Sequence, residues 1–339
     1  MSIRELFRPS CLTLFLALGL VACTAPFDAD SQAAAVAQGQ LFIGQFYAGE
    51  DDLLWAAFDS DMKTMMGDTQ ATLADFRMQV DSELGAEVEV VAESVLPQGS
   101  DTLYLRKARF EKVEIRLDVV ISWSAEGKVT GFSIRPEQAE APSKYLDYVT
   151  KTTLRLPFEE AWTVFWGGRE LKQNYHTAYP DQRFAYDILI MKDGVTHDGA
   201  GTSLDDYYCF DLKVLAPGAG VVLSAEKDVV DNVPGEMNPA QALGNHVIID
   251  HGNGEFSFLA HLKQGTLSVA VGDKVEIGTY LGRCGNSGNT SEPHIHYHLQ
   301  DTPTFNKGQG MPAPFVNYTA DGEPVERGEP VRLQVVKSR

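Results

Sequence analysis

The sequence predicts an α+β unit, with helices first and an antiparallel sheet after, followed by an all-β antiparallel unit. Three observations carry this. Residues 33–83 place their apolar side chains at helical spacing. Between Val113 and Trp123 the period changes to two, with Val113, Ile115, Leu117, Val119, Ile121 and Trp123 on alternate positions. From residue 156 onward, short apolar runs are punctuated by Gly, Asn, Asp and Pro. A chain of 339 residues is also long enough for two domains.

Taken in order, Met1–Cys23 reads as an export signal. Arg4 and Arg8 precede an apolar core, Leu12–Leu20, too short to span a membrane comfortably. The ending Leu20-Val21-Ala22-Cys23 resembles the lipobox of bacterial lipoproteins. That resemblance implies cleavage after residue 22 and a lipid on Cys23; the alternative is ordinary signal cleavage without lipid, giving a soluble periplasmic or secreted protein. With Thr24 rather than Asp next, the lipobox resemblance implies the periplasmic face of the outer membrane. Residues 1–22 are then the signal and 23–32 a tether.

In the α+β unit, residues 33–136, Val36 through Tyr47 predict an amphipathic helix broken near Gly49. Leu53, Leu54, Ala57 and Phe58 predict a short second helix. Leu73, Phe76 and Val80 predict a third, stopped by Gly85. Met62, Met65 and Met66 read as core rather than a ligand surface. Ala125-Glu126-Gly127 turns the chain into a last strand, Lys128–Arg135. This order resembles the cone-shaped ketosteroid-isomerase-like domains, and no convergent acid/base group is visible in it. Glu137-Gln138-Ala139-Glu140-Ala141-Pro142 opens a linker, 137–155. Strand candidates in the unit from 156 to 339 are Val221–Ser224, His246–Asp250, Phe256–His261, Thr266–Val271 and His294–Leu299, with an edge hairpin in Tyr318–Val336. The net charge of −19 argues against a polyanion-binding surface, so nucleic acid is not expected as a partner.

The chemistry concentrates in a turn-rich run, Gly285-Asn286-Ser287-Gly288, that delivers His294-Ile295-His296. Alternate strand residues share a face, so two imidazoles are set about 7 Å apart. One can bind a metal while the other reaches water on that metal. His-x-His alone is unspecific, but His176, Asp187 and His261 supply further candidates. Asp187 opens the apolar run Ala185–Met191, and His261 sits in Phe258-Leu259-Ala260-His261-Leu262. Three protein ligands with an open position form the catalytic rather than the structural zinc pattern.

With these residues the chain resembles the lysostaphin-type (LytM-like) zinc endopeptidases, which cut peptide bridges in bacterial cell walls. The resemblance also covers Val214-Leu215-Ala216-Pro217-Gly218-Ala219-Gly220-Val221, Gly244–Gly252 and Val271-Gly272-Asp273-Lys274-Val275. It implies that zinc (Zn2+) is held by His176, Asp187 and His296. His261 and His294 then supply acid/base help to a metal-activated water, His294 as base and His261 as stabiliser. Ten residues separate His176 from Asp187, against three in familiar members, so Asp181 is a rival ligand. Asp187 is preferred because it sits on a predicted strand. Within the insertion Thr177–Ala185, Gln182 and Arg183 orient substrate or are simply solvated. His298, on the same face as His296, either hydrogen-bonds to a metal ligand from behind or is structural, and the structural role is preferred. His246 and His251 read as non-ligands, His197 as a loop residue, and Asn245 as a cleft or capping residue. The implied substrates are peptidoglycan peptides. The alternative is a catalytically inactive relative that binds peptidoglycan or activates an amidase, although all five site residues are present. Lipoyl and biotinyl carrier domains share the Val-x-Ala-Pro-x-x-Gly-x-Val pattern, but no modifiable Lys-Met hairpin is visible. Cys11 leaves with the signal, so Cys209 and Cys284 form an even pair, a candidate bridge in an oxidising compartment or else two buried thiols.

Overall fold

In the computed structural model, residues 29–67, 69–98 and 101–339 are described. The export signal, the lipobox cysteine Cys23 and most of the tether lie outside them. Among the described residues no helix is long and apolar enough to cross a membrane. The chain divides into two units between Gln138 and Ala139.

The first unit runs through helices α1 (Ala29–Ala48), α2 (Asp51–Ala57), α3 (Ser60–Met65) and α4 (Gln70–Leu84). An antiparallel sheet follows in the order β1 (Glu87–Gln98), β2 (Asp101–Phe110), β3 (Val113–Trp123), β4 (Val129–Pro136). Gly85 caps α4 with φ of +73°, a conformation that costs glycine little. Phe42, Phe46, Leu54, Phe58, Leu73 and Val80 from the helices share one core with Tyr104, Leu117, Ile121 and Phe132 from the sheet. Helix α3 was not read from the sequence. Its signal is Asp59, whose side chain caps it by accepting from Met62 N at 2.7 Å. Met62 is fully buried, whereas Met65 is largely exposed. Strands β1 and β2 were not read either. Register shifts at Glu87/Glu89 and Val90/Ala92 break the period of β1, and as an edge strand it leaves Val88, Val90, Val91 and Leu96 exposed.

The second unit begins with a strap. Residues 139–155, expected as a linker, are held along the unit. Ala141 N donates to Thr177 O at 2.7 Å, Arg155 N donates to Pro217 O at 2.8 Å, and Tyr145 and Tyr148 pack against the core. The carboxylate of Glu255, itself without exposure, accepts from Tyr148 Oη at 2.8 Å, Lys151 N at 2.7 Å and Thr152 N at 2.8 Å, and from the Thr152 hydroxyl.

Beyond the strap lie β5 (Trp162–Trp166), β6 (Tyr186–Leu189), β7 (Lys213–Leu215), β8 (Gly220–Glu226), β9 (Asn245–Asp250) and β10 (Phe256–Leu262). Then follow β11 (Lys274–Val275), β12 (Tyr280–Arg283), β13 (Ile295–Gln300), β14 (Gly310–Met311), β15 (Phe315–Ala320), β16 (Glu323–Gly328) and β17 (Val335–Ser338). The large sheet is antiparallel, in the order β11-β8-β9-β10-β13-β6-β5-β17-β15-β16, with β14 on β13. Strands β12 and β7 pair separately. The fold is thus an α+β unit followed by an all-β antiparallel unit. Two expected strands differ in detail. Thr266–Val271 joins no ladder and makes a single bond of that kind, Ser268 N to Leu281 O at 2.9 Å. His294 precedes β13 rather than lying in it.

Candidate metal centre

Strands β6 and β13 set the first two groups opposite one another, since Asp187 and His296 are register partners. His296 Nδ1 stands 2.8 Å from Asp187 Oδ1. The third group comes from a short 3-10 turn, Tyr175–Ala178, that presents His176. Candidate ligand atoms of His176, Asp187 and His296 all lie within 4.8 Å of one another, and all three residues are buried. Asp181 stands outside this cluster, with its carboxylate accepting from Asn306 N at 3.1 Å.

Two further imidazoles border the cluster. His294 Nε2 is 3.5 Å from Asp187 Oδ1, and the ring centroid of His261 lies 4.8 Å from that of His294. His261 owes its position to a bulge. The β9–β10 register shifts between Leu259 and Leu262, and His261 adopts φ of +63°. A left-handed backbone conformation of this kind costs a non-glycine residue about 1–2 kcal/mol. It is held by His261 N donating to Leu243 O at 3.0 Å and by the contact of Nδ1 with Ser287 O at 2.9 Å.

The Gly/Asn/Ser run forms the frame. Gly244 and Gly288 approach so closely that a Cβ on Gly244 would meet Ser287 O at 2.1 Å, and one on Gly288 would meet Gly244 N at 2.4 Å. Asn245, fully buried, caps rather than reaching for ligands. It accepts from Val229 N at 2.8 Å and donates to Val229 O and Leu262 O at 2.7 and 2.9 Å.

The proton positions can be deduced for two imidazoles. Asn174 Nδ2 donates to two carbonyls, Gly168 O at 3.1 Å and Ala185 O at 2.9 Å. Its oxygen therefore faces His176 Nδ1, 2.9 Å away, and that nitrogen carries the proton. His176 Nε2 turns its lone pair toward Asp187 Oδ2 at 3.5 Å. Lone pair facing carboxylate calls for a cation between them, which is the observation that makes the donor set fit a metal. Two imidazoles and a carboxylate suit zinc better than calcium or magnesium, which prefer oxygen ligands. His261 Nδ1 likewise donates to Ser287 O, leaving Nε2 as its acceptor. Asn174 was missed as a functional residue. Its sequence signal was the helix-capping position two residues before His176.

The electrostatics separate the imidazoles. Burial pushes His176 down to about 3 against the pull of Asp187. Burial, with His294 and His296 adding to it, holds His261 well below the usual range. For His294, burial is outweighed by the Asp187 carboxylate, which raises it to about 9. Burial would raise Asp187, but the surrounding histidines hold it well below the ordinary value.

The remaining candidates have other partners. Arg183 is buried and directed to Thr177 O and Glu140. His246 contacts Gly244 O and Ser224 Oγ, His251 contacts Ala219 O and Ser257 Oγ, and His197 packs on Tyr207. Cys209 and Cys284, the candidate bridge, are free buried thiols in the structure. Cys209 Sγ donates to Pro293 O at 3.0 Å, and burial pushes the Cys284 thiol well up, keeping it neutral.

Residues 206–309 match Peptidase family M23, a span that includes His261, His294 and His296 but begins after His176 and Asp187. The chain is similar to the peptidoglycan DD-endopeptidase ShyA of Vibrio cholerae, 41% identical over 56 residues, 16% of this chain and 13% of that one. It is also similar to an uncharacterized metalloprotease of Buchnera aphidicola, 33% identical over 86 residues, 25% of this chain and 19% of that one. It therefore spans less than a fifth of the length of these curated relatives. Among solved structures, the M23 metalloprotease pseudoalterin from the deep sea is 19% identical, with 54% of this chain and 99% of that one covered at a TM-score of 0.32. The chain carries, at residues 206–309, a domain of peptidase family M23.

Proposed function

We propose that this chain is a zinc-dependent endopeptidase that hydrolyses peptide bonds of bacterial cell-wall peptidoglycan. The observation that carries the reading is the convergence of His176, Asp187 and His296, with two more imidazoles beside them. The similarity to a peptidoglycan DD-endopeptidase supports the substrate class.

A zinc ion in such a site supplies Lewis acidity and brings the ionisation of water near neutral pH. His176 and His296 would hold it with ring nitrogens and Asp187 with a carboxylate oxygen. Neutral His261, with its Nδ1 proton on Ser287 O, presents Nε2 to accept a proton. His294, whose Nδ1 faces Glu292 O at 3.0 Å and whose charged form the Asp187 carboxylate favours, is suited to donate to the developing oxyanion or to the leaving amine. This division reverses the one expected from the sequence.

The test is digestion of purified sacculi by the mature chain, with elemental analysis alongside. About one zinc per chain is expected, with release of peptide fragments that a chelator stops. His294→Ala is expected to keep zinc and lose about 10²-fold or more in turnover. Full occupancy by calcium without zinc, or intact sacculi from zinc-loaded protein, would refute the proposal.

On the lipobox resemblance of Leu20-Val21-Ala22-Cys23 we also propose that the chain is a lipoprotein on the periplasmic face of the outer membrane, anchored through Cys23. One acyl chain binds membranes only marginally, so anchoring needs more than one. Cys23→Ser is expected to abolish lipid labelling and to release soluble periplasmic protein. Wild-type protein that is already soluble, with an unmodified N-terminus, would remove the anchor.

A further inference from the structure

Behind His296 a chain of buried hydrogen bonds runs away from the metal centre. His296 Nε2 lies 3.0 Å from His298 Nδ1, and His298 Nε2 lies 3.2 Å from Gln300 Oε1. Gln300 Nε2 donates to two backbone carbonyls, Thr304 O at 2.9 Å and Thr302 O. His298 and Gln300 have no exposure, and His296 has 5%.

The chain has only one consistent polarity. A backbone carbonyl accepts and never donates, so both bonds to Thr302 and Thr304 must come from the Gln300 amide nitrogen. That turns the Gln300 oxygen, an acceptor, toward His298. His298 Nε2 must then carry a proton. A neutral imidazole has one N–H, so His298 Nδ1 is an acceptor. The proton between the two rings therefore belongs to His296 Nε2. On a neutral His296, the form that can bind a metal, what remains is the Nδ1 lone pair, facing Asp187 Oδ1 at 2.8 Å. Two acceptors at that distance repel unless a positive charge stands between them.

We propose that His298 and Gln300 are positioning residues, which lock His296 as its Nε2–H tautomer and so aim its Nδ1 lone pair at the metal and Asp187. The inference rests on the zinc reading above and extends it to residues that touch no metal. The two backbone carbonyls are the origin of the polarity, and the alternate-residue spacing of β13 transmits it through His296, His298 and Gln300 along one face. Such outer partners are worth about 10–100-fold in metal affinity.

The stacking of His298 on Phe258, with centroids 4.5 Å apart and planes at 15°, suggests the variant. His298→Phe keeps an aromatic ring there and removes the acceptor. In the zinc-loaded chain, competition with a chelator is expected to show affinity about 10–100-fold weaker for His298→Phe. His298→Gln, which can accept from His296 and donate to Gln300, should recover most of the loss. A merely structural role would not be rescued by that smaller, flexible side chain. Independently of any variant, nitrogen-15 imidazole spectra of the zinc-loaded wild type should show the proton of His296 on Nε2. A proton on Nδ1, or equal zinc affinity in wild type and His298→Phe, overturns this inference while leaving the zinc reading intact. Failure of the wild type to take up zinc overturns both.

Discussion

Asp187→Ala is expected to empty the site of zinc and to lower turnover by about 10³-fold or more, while Asp181→Ala leaves both nearly unchanged. The argument is geometric. One carboxylate lies within 3.5 Å of ring nitrogens of His176, His294 and His296, so its removal takes the common counter-charge from three imidazoles. His176 and His296 alone would have to hold a dication at a buried site with no anionic ligand. The Lewis-acid contribution lost with the metal is several kcal/mol, and each 1.36 kcal/mol is tenfold in rate. Asp181, by contrast, loses a bond from Asn306 N at 3.1 Å, remote from the cluster. Zinc content and hydrolysis of soluble wall peptides measure both effects. If Asp181→Ala empties the site and Asp187→Ala does not, the ligand belongs to the loop 177–185.

The second large effect concerns stability. A fragment beginning at Ala139 is expected to unfold at nearly the same urea concentration as this unit in the whole chain. One beginning at Thr153 should lose about 3–5 kcal/mol. The shorter fragment removes Tyr148, Lys151 and Thr152, and with them the four hydrogen bonds to the Glu255 side chain. A carboxylate with no exposure would then be buried without those partners. It would also lose the packing of Tyr145 and Tyr148 on the core. Equal urea midpoints at matched zinc concentration would refute the role of the strap. The same group predicts a pH dependence. Burial alone would raise Glu255, but the bonds it accepts hold it below its ordinary value of 4.5. A lowered folded value means that the stabilisation is complete above the unfolded value. It is lost as pH falls below 4.5 through the folded value. Glu255→Leu should flatten that part of the acid limb.

The sequence alone indicated the α+β and all-β character of the two stretches, several of their elements and the residue types of the centre. These are local properties. The period-two run Val113–Trp123 marks a strand wherever it folds, and Gly85 stops a helix because its backbone tolerates positive φ. Motif spacing likewise located His294 and His296, because residues two apart in an extended chain are neighbours. Tertiary structure decided the rest. Asp187 rather than Asp181 reaches the cluster because β6 pairs with β13 in a register that sets Asp187 opposite His296, and pairing register is non-local. His261 arrives through a bulge that no composition announces. The segment 139–155 has the Pro/Glu/Ala content of a linker, yet it is held by one buried carboxylate 103 residues or more away in sequence. The proton positions of His176, His261, His296 and His298, finally, follow from backbone carbonyls of Gly168, Ala185, Ser287, Thr302 and Thr304. Every residue carries a carbonyl, so only the fold determines which of them faces a histidine or the amide that orients it.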